Sequence, residues 1–296
     1  MSQTLSNSER MKAEWDARAR ENAYHFIASG QEEWTEEEFA ASGRDTVRGV
    51  VEDDLATIAG DRDPKSMTVL EIGCGAGRMT GPLADVFGHV HGVDVSDEMI
   101  TRARERLEAA DNVSLYATNG VDLSALGETR LDFALSFVVF QHIPSLDVVR
   151  SYIAEVGRRL APGALFKFQA QGDPRIEATP RDSWHGVRFS AMDAIRAARE
   201  SDLVIERFEG AGEQYFWVWM RKTPGRSPEL QPVEAQLLEA EHDILNKRLT
   251  ELGRELMDLR WWHSQAKPRL DALRDHAQSP SDEGPTENDL APETEW

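Results

Sequence analysis

The chain has 296 residues, 40% of them hydrophobic, a single cysteine and a formal net charge of −20. That is enough apolar material for one sizeable α/β domain with additions, while one thiol excludes an internal disulfide framework and no apolar stretch reaches the roughly 18 residues of a membrane span. Nucleic acid is held by basic patches that displace counterions, so this charge argues against DNA or RNA as a partner and against anionic membrane surfaces.

The first residues, Met1-Ser2-Gln3-Thr4-Leu5-Ser6-Asn7, carry neither the basic nor the apolar region of a secretory signal, so the cytoplasm is the expected compartment. Residues 8–60 read as helical. Trp15, Ala19, Tyr24, Phe26 and Ile27 give a rough apolar stripe among charges. A second helix opens at Glu36-Glu37-Glu38-Phe39 and runs through Val47, Val50, Val51, Leu55 and Ile58 to Gly60 and the Asp61-Arg62-Asp63-Pro64 cluster. Strands are then expected near 68–72, 89–94, 113–118, 131–137 and 164–171, alternating with helices near 77–87, 97–110 and 146–160. Ser96 caps the second of these helices. Such βαβ alternation argues a parallel, doubly wound sheet covered by helices on both faces. Ser190 caps a further helix over 191–201, and the apolar runs 203–208 and 215–220, joined by Gly210-Ala211-Gly212-Glu213, read as an antiparallel pair.

Beyond residues 223–228 the composition changes. Leu238, His242, Leu245, Leu249, Leu252, Leu256 and Leu259 are spaced alternately four and three apart, a heptad seam on a long helix. Pro268 is expected to break or kink it, with Leu270 and Leu273 continuing the pattern. The seam is read either as a helix packed on its own domain or as an oligomerising coiled coil; the narrow stripe and charged flanks favour the second. Trp261 and Trp262, near its end, read as packing residues. From Gln278 the chain is Ser, Pro and acidic residues without a basic one and is expected to be disordered. The expected organisation is a helical cap over 1–63, a nucleotide-binding domain over 64–223, the coiled-coil helix over 229–277 and an acidic tail over 278–296.

The chemistry is concentrated in Val69-Leu70-Glu71-Ile72-Gly73-Cys74-Gly75-Ala76-Gly77-Arg78-Met79-Thr80. A buried-strand pattern runs into a glycine-rich turn and opens a helix; His89-Val90-His91-Gly92-Val93-Asp94 then ends a second strand on a carboxylate. This is a nucleotide crevice at the carboxyl end of a parallel sheet, where an acid about 20 residues past the turn holds ribose hydroxyls. A dinucleotide fingerprint needs glycine at position 78, where Arg78 stands, and Glu71 would sit beside a pyrophosphate as a second anion. A dehydrogenase is therefore disfavoured, and a cationic ligand is preferred.

The pattern E-x-G-x-G-x-G, followed by the acid after the second strand, resembles the class I S-adenosylmethionine-dependent methyltransferases. The run Leu131-Asp132-Phe133-Ala134-Leu135-Ser136-Phe137-Val138-Val139-Phe140-Gln141-His142-Ile143-Pro144 is similar to that family's fourth strand and following loop. Leu160-Ala161-Pro162-Gly163-Ala164 is similar to its turn into the fifth strand, with Ala164 in place of a second glycine. The resemblance covers residues 8–222 and implies a seven-stranded, mostly parallel sheet ending in an antiparallel hairpin, with S-adenosyl-L-methionine as cofactor.

It also implies roles. Glu71 faces the cofactor's amino group or the glycine turn; Gly73, Cys74, Gly75 and Gly77 form that turn; Asp94 holds both ribose hydroxyls; Val95 and Met99 flank adenine. Asn119, beside Gly120 at the end of the third strand, stands where the family often has an acid for the adenine amino group, and its amide can still accept that bond. Phe137 offers its carbonyl oxygen to the methionine end. Arg18 and Arg78 are candidates for the cofactor carboxylate, each weighed against an ordinary surface arginine. His142, on the loop after the fourth strand, is the candidate general base, weighed against a packing role beside Pro144. His185 and Trp184 lie on a segment that could cover the acceptor pocket. No metal-ligand cluster is present in the sequence. The expected function is methylation of a small molecule or soluble glycan precursor, at oxygen if His142 is a base. The alternative is a non-catalytic scaffold that recruits a partner through its coiled coil.

Overall fold

The computed structural model describes residues 6–176, 182–223 and 229–278. Packing divides the chain into two units, Met1–Ile244 and Leu245–Trp296.

The first unit is built on seven strands in the order β3-β2-β1-β4-β5-β7-β6. They are β1 (Thr68–Ile72), β2 (His89–Asp94), β3 (Val113–Ala117), β4 (Leu131–Ser136), β5 (Leu160–Ala170), β6 (Leu203–Glu209) and β7 (Phe216–Lys222). β1 to β5 pair in parallel, and β7 runs antiparallel to both β5 and β6. The helices are α1 (Asn7–Ile27), α2 (Glu36–Val47), α3 (Leu55–Ala59), α4 (Thr80–Val86), α5 (Asp97–Arg106), α6 (Leu146–Arg159), α7 (Ala191–Glu200) and α8 (Pro232–Gln278). Ser96 and Ser190 cap α5 and α7 through their hydroxyls, as the sequence predicts.

Alternation along the strands sorts side chains into two cores. Leu70, Ile72, Val93, Ala134, Phe166 and Phe168 face α6 and α7 through Ile153, Val156, Ala194 and Ala198. Val69, Val90, Phe133, Leu135 and Trp219 pack with Leu83, Phe87, Val47 and Ile58 on the other face. Strand order reverses between β1 and β4, which opens a crevice at their carboxyl ends.

Several elements depart from the sequence pattern for local reasons. α4 begins at Thr80 rather than 77, because Gly77 has φ of +79° and still belongs to the turn. β5 starts at Leu160, four residues before the expected 164, with a register shift on β4 between Leu131 and Phe133. The second N-terminal helix is interrupted by a π-helical turn at Arg48–Glu52. There the Val50 carbonyl accepts a 2.6 Å bond from the buried Lys167 ammonium, which also pairs with Asp54.

Pro268 neither ends nor interrupts α8, which continues to Gln278. Its first turns pack on their own unit, with Leu238 of the leucine seam set against the core beside Leu237. Leu237 is fully buried, Glu234 pairs with Arg199 at 2.9 Å, and Glu241 pairs with Arg188 at 2.7 Å. In the second unit, Leu245, Leu249, Leu252, Leu256 and Leu259 are exposed along one helix. The acidic tail expected beyond Gln278 lies outside the described residues.

Candidate functional site

At the end of β1 the chain turns sharply. The Gly73 and Cys74 amides both donate to the Val93 carbonyl, at 2.7 and 3.0 Å, which folds the glycine turn over β2. Gly73 has φ of +75°, and a Cβ there would lie 2.2 Å from Val139 Cγ2, so only glycine fits. The next amides fix Asp94. Gly75 N–H donates to its Oδ2 at 2.9 Å and Ser96 N–H to its Oδ1 at 2.9 Å. Both carboxylate oxygens are thus held in place and keep lone pairs for further donors. Burial raises the Asp94 pKa above the usual carboxylate range, with the two amides acting against it.

Glu71 is the second carboxylate. It is buried, and it accepts a 2.6 Å bond from the Thr80 hydroxyl at the start of α4. Burial pushes its pKa up to about 7, outweighing the Thr80 bond and the attraction of Arg78. A buried acid in this state is ready to take a cation, which would supply the missing charge compensation.

α1 roofs the crevice with Met11, Trp15, Phe26 and Ile27. Its polar face anchors it. Lys12 Nζ donates to the Val95 carbonyl at 3.0 Å and pairs with Asp97 at 2.8 Å. Asp16 accepts from the Ser96 hydroxyl at 2.6 Å and from the Glu98 amide at 3.2 Å. Glu14 accepts from the Ser183 amide at 2.7 Å.

Ten of the residues expected from sequence line this crevice together: Glu71, Gly73, Cys74, Gly75, Arg78, Asp94, Val95, Met99, Phe137 and His142. Burial pushes the Cys74 thiol well up, so it is a neutral wall residue. Phe137 stacks on Trp217 with ring centroids 5.3 Å apart. Arg78 is no surface arginine: its Nη1 is tied to the Ser42 carbonyl at 3.2 Å and the Thr46 hydroxyl at 2.8 Å, so it also clamps α2.

Four expected residues fall outside the lining. Arg18 donates to the Ser183 hydroxyl at 2.7 Å and lies over the rings of Trp15 and Trp184, at 4.9 and 5.6 Å. Gly77 faces α5 and its C-terminal end, where a Cβ would meet Leu107 Cδ1 at 2.9 Å. Asn119 is exposed, and its Oδ1 accepts from the Val121 and Asp122 amides at 2.8 and 2.9 Å. That oxygen is committed to an Asx turn, not aimed at a base. Gly120 lets Val95 and Met11 approach its backbone.

His142 is buried at the crevice wall. Its Nδ1 lies 2.6 Å from the Trp184 carbonyl oxygen and its Nε2 lies 3.2 Å from Gln141 Nε2. Burial holds its pKa down at about 4. The nearby Tyr152 hydroxyl, 3.2 Å from Thr118 Oγ1, is pushed up to about 12 by burial.

The sequence reading did not count the roof residues Met11, Trp15, Phe26 and Ile27 as site residues, nor Val138, Val139 and Tyr152. The signal for the roof was present: Met11, Trp15, Ala19 and Ala23 recur every four residues on an otherwise charged helix. Among the described residues there is no group of three or more His, Cys, Asp and Glu side chains fit for a metal ion.

Residues 69–163 match the family of methyltransferase domains. A ubiquinone biosynthesis O-methyltransferase of Mesorhizobium japonicum is 32% identical over 124 residues, which cover 39% of this chain and 47% of that protein. A dTDP-3-amino-3,4,6-trideoxy-alpha-D-glucopyranose N,N-dimethyltransferase of Streptomyces venezuelae is 25% identical over 165 residues, covering 56% of this chain and 67% of that one. The chain spans about half the length of the ubiquinone-pathway relatives it matches. The fold is shared with magnesium protoporphyrin IX methyltransferase of Synechocystis PCC 6803 with bound S-adenosylmethionine. There the TM-score is 0.53 at 16% identity, over 75% of this chain and all of that one. The fold is that of the S-adenosylmethionine-dependent methyltransferases.

Proposed function

We propose that the protein transfers a methyl group from S-adenosyl-L-methionine to a small-molecule or soluble glycan-precursor acceptor. One observation carries the reading: two fixed carboxylates, Glu71 and Asp94, line one otherwise mainly apolar crevice beside a glycine turn. That pattern suits a ligand with an ammonium, a ribose diol and no phosphate. Glu71 would take the ammonium, Asp94 the two ribose hydroxyls, and Val95 and Met99 the faces of the base. Gly73 and Gly75 let the backbone approach the amino-acid part, and the Phe137 carbonyl is a further acceptor for its ammonium.

The cofactor, when bound, supplies an activated methyl group. The chain's own residues then bind, orient and exclude water. Trp15, Phe26 and Ile27 of α1 line the crevice, and there they would cover an acceptor so that it meets the methyl group in a dry, fixed geometry. Names of relatives support the acceptor class: one acts in ubiquinone biosynthesis and one on an amino sugar nucleotide. Oxygen as the acceptor atom, the expectation from sequence, requires His142 to act as a base. The exposed leucine seam of the second unit supports self-association as a further proposal, and a cytoplasmic location is proposed with it. Among the described residues no helix is long and apolar enough to cross a membrane.

The test is turnover. Purified protein, methyl-labelled S-adenosylmethionine and a panel of amines, phenols and sugars are incubated, and label in the acceptor is followed by mass spectrometry. Labelled product with equimolar S-adenosylhomocysteine supports the reading. Cofactor binding without transfer to any member would favour the scaffold alternative.

A further inference from the structure

A chain of buried amides leads from the crevice wall to His142, and its hydrogen-bond directions are dictated from one end. Gln169, fully buried on β5, accepts the Val138 amide proton on its Oε1 at 3.1 Å. Its Nε2 faces three oxygens: Gln141 Oε1 at 3.0 Å, the Ala170 carbonyl at 2.8 Å and the Gln214 carbonyl at 3.1 Å. Reversing this amide would set an oxygen against three oxygens and a nitrogen against an N–H, so its orientation is fixed. Gln141 Oε1 is therefore an acceptor, and its Nε2 must point the other way, to His142 Nε2 at 3.2 Å. An amide NH2 only donates, so His142 Nε2 presents its lone pair. The ring proton then sits on Nδ1, which donates to the Trp184 carbonyl at 2.6 Å.

We propose that Gln169 and Gln141 are positioning residues that lock His142 as the neutral Nδ1–H tautomer, so that it ties segment 182–189 to the crevice wall instead of serving as a base. Both ring nitrogens are engaged, and protonation of Nε2 would place two donors against each other. The ring also meets Trp15 of α1 at 5.5 Å and Trp184 at 5.2 Å, so one imidazole joins the roof, the β4 loop and the 182–189 segment. Two backbone bonds reinforce the seam, Gly186 to Gln141 at 2.7 Å and Val187 to Ile143 at 3.0 Å. The charged or titratable groups acting on the ring are Arg18 of α1 and Asp182 and His185 of that segment.

A consequence, which rests on the methyl-transfer reading, concerns the acceptor. With no base at hand the nucleophile must react without prior deprotonation, which a neutral amine does, whereas the lone pairs of an aliphatic hydroxyl are too weakly nucleophilic until its proton is removed. The acceptor nitrogen forms the new N–C bond as the C–S bond breaks, sulfur keeps that electron pair, and the resulting ammonium loses its proton to water.

The experiment is long-range 1H–15N correlation on histidine-labelled full-length protein, with His142 assigned from a His142→Asn variant. The proposal expects a protonated Nδ1 and a bare Nε2 that do not change between about pH 5.5 and 8. A protonated Nε2, or titration near the ordinary midpoint of about 6.5, overturns it. In folded Gln169→Leu the Gln141 amide is free to reverse and accept from the ring, so the His142 midpoint should rise by about one unit or more. An unchanged midpoint in that variant also overturns the assignment. These readouts need no acceptor, so failure of the turnover assay and failure of this inference are separate results.

Discussion

Glu71→Gln removes a carboxyl whose charged form is disfavoured by burial. The wild-type carboxyl has a pKa near 4.5 when unfolded and about 7 in the folded, ligand-free protein. Between these values the folded state holds a proton that the unfolded state has lost. The contribution is fully present below pH 4.5 and is lost as pH rises through 7, falling by up to about 1.4 kcal/mol per unit in between. Over the whole window that amounts to about 3 kcal/mol. Glutamine does not titrate and can still accept the Thr80 hydroxyl. The variant should therefore gain stability relative to wild type, by little near pH 5 and by about 3 kcal/mol above pH 7. Urea unfolding of both ligand-free proteins across this range reads the difference directly. S-adenosylhomocysteine should reverse the ranking above pH 7, because its ammonium compensates ionised Glu71 and not the amide. A stability difference that is the same at every pH would refute the assignment of Glu71 as a strained acid awaiting a cation.

Asp94→Ala should weaken cofactor binding by about 1–3 kcal/mol through lost charge-assisted bonds, measured by calorimetry on variant protein of unchanged circular dichroism; full affinity would remove the ribose assignment. Gly73→Ala places a Cβ 2.2 Å from Val139 at φ of +75°. Its turn must shift, and binding should drop at least tenfold with a loss of about 1–2 kcal/mol in stability. A variant binding as tightly as wild type would show that the turn is not a close-approach point. Leu252→Lys with Leu256→Lys, both at exposed positions, should abolish self-association in sedimentation velocity while leaving the melting temperature of the first unit within about 2 °C. A full-length chain that is already monomeric at micromolar concentration would defeat the coiled-coil proposal.

What the sequence revealed was local. The strand, glycine turn and following acid lie close in sequence, and their geometry is set by backbone bonds such as Gly75 to Asp94, so the meeting of Glu71, Gly73, Gly75 and Asp94 at one crevice was legible from their spacing together with the family resemblance. The capping serines Ser96 and Ser190 were legible for the same reason. Residues whose roles depend on distant partners were not. Arg18 is drawn away by Ser183 and two tryptophans, and the tautomer of His142 is decided by Gln169, a residue 27 positions on. Asn119 is an instructive case, because Asn-Gly is itself a turn signal and favoured the Asx turn over a ligand contact. The π-helical turn at Arg48–Glu52 coincides with Lys167 reaching Val50 across 117 residues, a contact that no periodicity of α2 announces. The leucine spacing of α8 marked the exposed positions 245–259, yet its packed positions within the first unit include the charged Glu234 and Glu241 beside Leu237 and Leu238, which a count of leucines does not reveal.

The central claim is tested most directly by calorimetric titration of the full chain with S-adenosylmethionine, S-adenosylhomocysteine and NAD in parallel, at about pH 7 in two buffers of different ionisation enthalpy. The account predicts that both sulfur ligands bind, that NAD does not, and that binding releases a fraction of a proton as Glu71 becomes ionised against the ammonium. NAD binding, or no binding of either sulfur ligand by folded protein, would contradict it.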